Sequence, residues 1–391
     1  MLMSAVLPTY ARADVAFVKG EGCYLHASDG RRYLDFTSGI AVASLGHCHP
    51  HVVEEVRRQA GTLMHCSNLF VIPGQERLAE RLCARTFADY VFFANSGAEA
   101  NECAIKMARR YQHVKGHPER FRIITFENAF HGRTLATIAA TGQEKILHGF
   151  GPKVDGFDTV PVGDLAALKQ AITNETAALM VEPVQAEGGV HPLPGGFLAE
   201  LRRLCDQHGL LLILDEVQTG MCRTGKFLAH EWTGVTPDIA TLAKALGNGL
   251  PIGACLATKA AGEPMTKGSH GSTFGGNPMA VAAGNAVLDV MLAPGFLDQV
   301  WATADKLRRR AEQLCTRNDT VFEDVRGQGL LLGLKCRKPN TEVVDAARRH
   351  GLLLVAAGDN VVRLLPPLVL DEPQIEEAMG ALENVCREMA A

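Results

Sequence analysis

No two of the eleven cysteines form a Cys-x-x-Cys pair. An odd, scattered set of thiols excludes a disulfide framework and fits reduced, buried residues instead. Charge of one sign is also lacking: 39 Lys and Arg face 43 Asp and Glu, a formal net charge of −4 with no long run of either. That balance argues against a general nucleic-acid or anionic-membrane partner. Neither nucleotide fingerprint is present, G-x-x-x-x-G-K-[ST] or a G-x-G-x-x-G between strand and helix. The uncharged window from Gly268 to Leu288 is long enough to span a bilayer, but it carries Ser269, His270, Ser272, Thr273, Asn277, Pro278 and Asn285. It therefore does not read as a transmembrane helix. Met1 to Asp14 has no basic n-region, long apolar stretch or Arg-rich amphipathic pattern, so a cytoplasmic protein is expected. His47, Cys48, His49 and His51, with His65 and Cys66 further on, match no common zinc spacing, and no metal is expected.

What remains is a globular chain of 391 residues, 47% hydrophobic and 21% charged, long enough for two or three domains. From about Asp89, short apolar runs alternate with helix-period segments. Tyr90 to Ala94, Phe121 to Phe126, Ala177 to Glu182, Leu210 to Asp215, Ile239 to Leu242 and Ile252 to Ala257 read as buried strands. Ala100, Cys103, Ala104, Met107, Ala108 and Tyr111 mark one face of a helix between the first two. Such alternation predicts an α/β fold with a mostly parallel central sheet covered on both faces. Residues 1–45 and 278–391, with helical stretches near 298–316, 341–350 and 372–389, are expected to form a smaller α+β domain beside a large one over 46–277.

Three short segments carry candidate chemistry. Asn95-Ser96-Gly97-Ala98-Glu99 follows a strand and opens the helix; Ser96 and Glu99 have capping-box spacing, and the first-turn amides could hold a phosphate. An ordinary helix cap is the plainer reading. Asp215 ends the most apolar run, where open parallel sheets hold ligands, although a helix N-cap is as good an explanation. Lys244 follows another strand, flanked by Ala243 and Ala245 and then by Gly247, and is either a solvated surface lysine or a desolvated amine suited to carbonyl chemistry.

A phosphate-holding turn, an Asp for a pyridine nitrogen and a Lys for a carbonyl are the parts of a pyridoxal phosphate site. In this order they resemble the class III (ornithine-type) aminotransferases of fold type I, in particular their bacterial acetylornithine branch. The motifs run from Tyr10 to about Leu370. They include Leu45-Gly46-His47-Cys48-His49-Pro50, Phe92-Phe93-Ala94-Asn95-Ser96-Gly97-Ala98-Glu99, Ala129-Phe130-His131-Gly132-Arg133-Thr134, Glu182-Pro183-Val184-Gln185-Ala186-Glu187-Gly188-Gly189, Leu214-Asp215-Glu216-Val217-Gln218-Thr219-Gly220, Leu242-Ala243-Lys244-Ala245-Leu246 and Gly271-Ser272-Thr273-Phe274-Gly275-Gly276-Asn277-Pro278.

The resemblance implies that Lys244 carries pyridoxal 5'-phosphate covalently and then moves the reaction proton. It implies that Asp215 pairs with the ring nitrogen, Gln218 bonds the ring hydroxyl oxygen, Phe130 stacks on the ring, and the Gly97 and Ala98 amides bind the phosphate. Thr273 is implied to serve the phosphate of the other subunit, hence a homodimer with shared sites. Arg133 is implied to take the carboxylate of the acylated amino acid or the side-chain carboxylate of glutamate. Arg363 is implied to take the α-carboxylate of glutamate and to be neutralised by Glu187 when the amine donor is bound. Ser272 and Tyr10 are further candidate substrate contacts. Ile40, where ornithine aminotransferases usually carry Tyr, points to N-acetylornithine as amine donor, with 2-oxoglutarate as acceptor and glutamate as product. Other ω-amines (succinylornithine, succinyldiaminopimelate, ornithine or 4-aminobutyrate) and a semialdehyde aminomutase are the alternatives. Apart from the resemblance, Arg133 and Arg363 read as surface ion-pair residues.

Overall fold

The computed structural model describes residues 5–390; residues 1–4, which begin the segment read for a targeting signal, lie outside them. The apolar runs form a seven-stranded sheet: β1 (Tyr90–Ala94), β2 (Arg122–Phe126), β3 (Phe157–Val160), β4 (Thr176–Val181), β5 (Leu211–Asp215), β6 (Ile239–Leu242) and β7 (Gly253–Ala257). Their spatial order is β1-β7-β6-β5-β4-β2-β3. Only β7 runs against its neighbours, so the carboxyl ends of β1, β4, β5 and β6 share one edge. The expected mostly parallel sheet is what forms. Residues of β4 and β5 are buried throughout, as strands covered on both faces must be.

One strand, β3, was not anticipated. It lies at the sheet edge, and its Asp158 holds Arg122 of β2 in a two-pronged ion pair, so its solvent side is polar and no continuous apolar run betrays it. The helix after β1, α1 (Gly97–Val114), buries Ala100, Cys103, Ala104, Met107 and Ala108 as the periodicity predicts. Its capping box is only half made. Ser96 Oγ accepts from the Glu99 amide at 3.2 Å, but the Glu99 carboxylate turns one residue further back and accepts from the Asn95 amide at 2.6 Å.

The two chain ends meet beside this sheet. The strand Arg32–Asp35 pairs in parallel with Leu352–Leu353, and Leu365 donates its amide to Phe36. A second, antiparallel sheet is built from Phe322–Gln328, Leu331–Cys336, Val355–Ala357 and Val361–Leu364. Helices Phe296–Arg317 and Asn340–Arg349 pack on it, and Glu372–Ala390 packs on both helices. The histidines of the His47 to His51 segment diverge: His47 bonds Asp35 at 2.8 Å and His51 bonds Asp289 at 2.9 Å. No single helix among the described residues is long and apolar enough to cross a membrane.

Arg223 pins the N-terminal and C-terminal segments to the segment after β5. Its guanidinium is buried, and it donates to Leu330 O at 3.1 Å, to Pro366 O at 2.5 Å and to Ser44 Oγ at 2.9 Å. Burial without a carboxylate partner pulls this guanidinium down to about 9. Arg223→Leu keeps the bulk but strands those acceptors, so it should cost roughly 2 to 4 kcal/mol. The expected observation is a lower urea midpoint with an unchanged slope; an unchanged midpoint would show that the arginine holds nothing together.

Candidate active site

The carboxyl edge of the large sheet opens into a cavity of about 390 Å3. Ligands in open α/β sheets sit at this edge because the loops there diverge and leave a crevice. Gly97, Ala98, Phe130, Arg133, Asp215, Gln218 and Lys244 all line it.

Asp215 ends β5 with 4% of its surface exposed. Its Oδ2 accepts from Asn101 Nδ2 at 2.7 Å and pairs with His131 Nδ1 at 2.8 Å, while its Oδ1 accepts from the Val217 amide at 3.0 Å. Asn101 is oriented in turn by Thr241, whose hydroxyl donates to Asn101 Oδ1 at 2.7 Å. A carboxylate gripped in this way is positioned as a fixed negative charge, not as a helix cap. The sequence reading passed over Asn101, His131 and Thr241. A signal existed for Asn101, one of two polar residues, with Gln112, among the mostly apolar buried residues of α1.

Lys244 follows β6 with φ of +45°, a left-handed conformation unusual for a lysine and characteristic of strained functional positions. Burial pulls its amine from the ordinary lysine range down to about 8, against the opposing pull of Glu187. Glu182, just beyond β4, accepts from the Phe130 amide at 2.9 Å. Its carboxyl is raised well above the usual carboxylate range by burial and then by Asp215 nearby.

The start of α1 approaches the segment after β5 closely. A Cβ on Gly97 would lie 2.8 Å from Val217 Cγ1, and one on Gly132, whose φ is +135°, would lie 2.7 Å from the Ala98 Cβ. Only backbone fits at these two glycines, and the first residues of α1, Gly97 and Ala98, line the cavity. A carboxylate for a pyridine nitrogen, an amine for a carbonyl and free helix-start amides for a phosphate together fit pyridoxal 5'-phosphate.

Arg363 is not a surface residue: it is 1% exposed in the strand Val361–Leu364. Its guanidinium grips the Glu187 carboxylate with both terminal nitrogens, Nη2 donating to Oε2 at 3.0 Å, and Nη1 also reaches Gln218 Oε1 at 3.3 Å. Burial alone would raise the Glu187 carboxyl, but Arg363 outweighs it and holds the group below the usual range. Arg133 is exposed over the Phe130 ring, 5.4 Å from its centroid, and forms no ion pair among the described residues.

Five candidates do not line this cavity: Arg363 and Glu187, which pair with each other, and Thr273, Tyr10 and Ser272. Thr273 is exposed, Tyr10 is 77% exposed, and Ser272 stands behind the wall with its hydroxyl 3.3 Å from Asn95 Nδ2. Ile40 lies in a turn where Ser38, Gly39, Ile40 and Ala41 all have positive φ, an unfavourable geometry for a β-branched residue. Asp35 secures that turn by accepting from the Thr37 amide at 2.8 Å and the Ser38 amide at 3.1 Å.

In the cofactor-free chain, a lysine titrating near 8 reacts as a neutral amine at lower pH than exposed lysines, which titrate near 10.4. Carbamoylation of Lys244 by cyanate should rise through pH 8 and level off by about pH 9, while other lysines continue to rise. Peptide mass spectrometry would read this; a Lys244 profile parallel to the others would contradict the desolvated amine.

The family described as Aminotransferase class-III matches residues 8–386. An acetylornithine aminotransferase of Brucella melitensis is 58% identical over 382 residues, covering 98% of this chain and 95% of the relative. One of Mesorhizobium japonicum is 59% identical over 387 residues, covering 99% and 97%. Among solved structures, an ornithine aminotransferase of Toxoplasma gondii superposes with a TM-score of 0.94 at 31% identity, covering 99% of this chain and 93% of that one. An N-acetylornithine aminotransferase of Stenotrophomonas maltophilia gives 0.86 at 37%, covering 97% and 98%. Both the cavity's residues and these full-length likenesses lead to one assignment: the chain belongs to the class III aminotransferases, enzymes that work with pyridoxal 5'-phosphate.

Proposed function

We propose that the chain moves the terminal amino group of N-acetylornithine to 2-oxoglutarate, giving N-acetylglutamate semialdehyde and glutamate, as a cytoplasmic step of arginine biosynthesis. The observation that carries this reading is the pairing of Arg363 with Glu187 next to an Arg133 that lies over Phe130 and forms no ion pair among the described residues. The amine donor has one carboxylate and the acceptor has two. A site with one free arginine and one reversibly neutralised arginine serves both. Acetylornithine aminotransferases at 58% and 59% identity over nearly the whole chain support the choice of donor.

When bound, pyridoxal 5'-phosphate supplies the carbonyl that takes up the amino group and an electron-withdrawing ring. Lys244 holds the cofactor through its amine and afterwards moves a proton at the substrate carbon, a role its depressed basicity suits. Asp215, oriented by Asn101 and His131, keeps the ring nitrogen protonated. The Gly97 and Ala98 amides bind the phosphate, Phe130 covers the ring and Gln218 bonds the ring hydroxyl oxygen. Arg133 receives the substrate carboxylate, with Ser272 and Tyr10 as outlying contacts.

A homodimer completes the site. Thr273 is exposed and does not line its own cavity, and the neighbouring surface exposes Leu69, Phe70, Val71 and Phe274. Asn68 ties the two segments together by donating to Ser272 O at 2.9 Å and Gly275 O at 3.0 Å. An apolar patch beside a phosphate-binding hydroxyl suits a second copy of the chain.

Turnover of N-acetylornithine should depend on 2-oxoglutarate and exceed that of ornithine and 4-aminobutyrate; amino transfer within one substrate without any oxo acid would point to a mutase instead. Single-turnover rates separate the arginines. Arg363→Ala should cost the glutamate half-reaction roughly 2 to 5 kcal/mol and largely spare the N-acetylornithine half-reaction, whereas Arg133→Ala should damage both. Equal losses in both half-reactions for Arg363→Ala would defeat the switch. Asp215→Asn should retain cofactor yet lose most turnover, because an amide cannot stabilise a protonated ring nitrogen; near wild-type turnover would remove Asp215 from that role.

A further inference from the structure

Both halves of the Glu187–Arg363 pair rest on one hairpin. Arg363 lies in Val361–Leu364, which pairs antiparallel with Val355–Ala357, and its Nη2 donates to Ala356 O at 3.3 Å. The backbone around Glu187 lies on the turn between those two strands. Glu187 O accepts from the Gly358 amide at 2.9 Å, a Cβ on Gly358 would lie 2.7 Å from Gly188 O, and one on Gly189 would lie 2.9 Å from Asp359 Cβ. The position of that turn therefore decides where the Glu187 carboxylate is delivered.

The turn is strained and has to be held. Asp359 and Asn360 both have φ of +51°, a conformation that Asp and Asn tolerate better than most residues with a side chain. Asn360 Nδ2 donates to Cys336 O at 2.7 Å and to Lys338 O at 2.9 Å. Asp359 is gripped by two cations from the adjoining strands Phe322–Gln328 and Leu331–Cys336. Its Oδ2 accepts from Arg326 Nη1 at 2.5 Å, and its Oδ1 and carbonyl O both accept from Lys335 Nζ at 2.6 Å. Lys335, and next Arg326, hold this carboxyl down at about 2, so the clasp is charged at neutral pH. Asp359 does not line the cavity beside Lys244, and no role assigned there uses it.

We propose that Asp359 is a positioning residue that sets how readily Glu187 gives up Arg363. The clasp keeps the Glu187 loop seated on the hairpin that carries Arg363, so it favours the paired state. An acceptor's α-carboxylate must displace Glu187 against that hold. With the clasp released, the Glu187 backbone can lift away and leave Arg363 open. Dicarboxylates then bind more tightly, and a donor with one carboxylate meets an arginine that is no longer neutralised.

This inference rests on the exchange between Glu187 and Arg363 proposed above, and the assay separates the two. With holoenzyme, single-turnover rates against glutamate and against N-acetylornithine are compared for the unchanged protein, Asp359→Asn, Glu187→Ala and the double variant. Asparagine tolerates the left-handed turn and removes the charge. Asp359→Asn should tighten the apparent Kd for glutamate about threefold and weaken that for N-acetylornithine by about the same factor, an effect within reach of a partly exposed ion-pair network, with maximal rates changed less than about twofold. Glu187→Ala should tighten glutamate at least as much. Adding Asp359→Asn to it should change nothing further, because the clasp then has no carboxylate to position. Added salt should narrow the gap between the unchanged protein and Asp359→Asn. Unchanged affinities in Asp359→Asn, equal weakening of both substrates, or a glutamate effect that persists in the double variant would overturn the inference. Tightening in Glu187→Ala without any in Asp359→Asn would overturn the role of Asp359 and leave the exchange standing. Glutamate binding unaltered by Glu187→Ala would sink the exchange and the inference with it.

Discussion

An amine partly withdrawn from water at the carboxyl edge of a parallel sheet is the constraint around which the other groups are arranged. Lys244 reaches that edge in a left-handed conformation, and burial brings its basicity close to neutral pH. Burial alone would leave a charge unpaired whenever the amine is protonated. Asp215, Glu182 and Glu187 stand near enough to oppose this, and each is itself kept in order by a named partner: Asn101 and His131, the Phe130 amide, and Arg363. Nearly every polar contact around the cavity can be traced to managing charge where solvent is scarce.

The Glu187–Arg363 pair couples that site to the second sheet. Arg363 comes from the strand Val361–Leu364 and Glu187 from the loop after β4, so the pair spans two parts of the molecule. Breaking a buried pair is costly when one charge is left alone. On the proposed reading, a dicarboxylate substrate would give Arg363 a new partner in place of Glu187, and a monocarboxylate would leave the native pair intact.

Much of the fold was legible because buried parallel strands are continuous apolar runs, and six of the seven were read to within a residue or so at either end. The edge strand β3 escaped because Asp158 and Thr159 break its apolar character. Lys244 and Asp215 could be found by their places just beyond or at the end of such strands, but each alone had an ordinary explanation; the set and its order carried the reading. Arg363 shows the limit. Nothing in Val361-Val362-Arg363-Leu364 distinguishes a buried arginine from a surface one, since its burial depends on Glu187, 176 positions away. The same long-range pairing hid the grip of Asn101 and His131 on Asp215.

Reduction of the cofactor-loaded protein with borohydride, followed by digestion and peptide mapping, tests the central role of Lys244 most directly. Reduction fixes whichever lysine holds the cofactor, so the label records the site. The account predicts a pyridoxyl group on the peptide containing Lys244 and on no other; a label on any other lysine would contradict it.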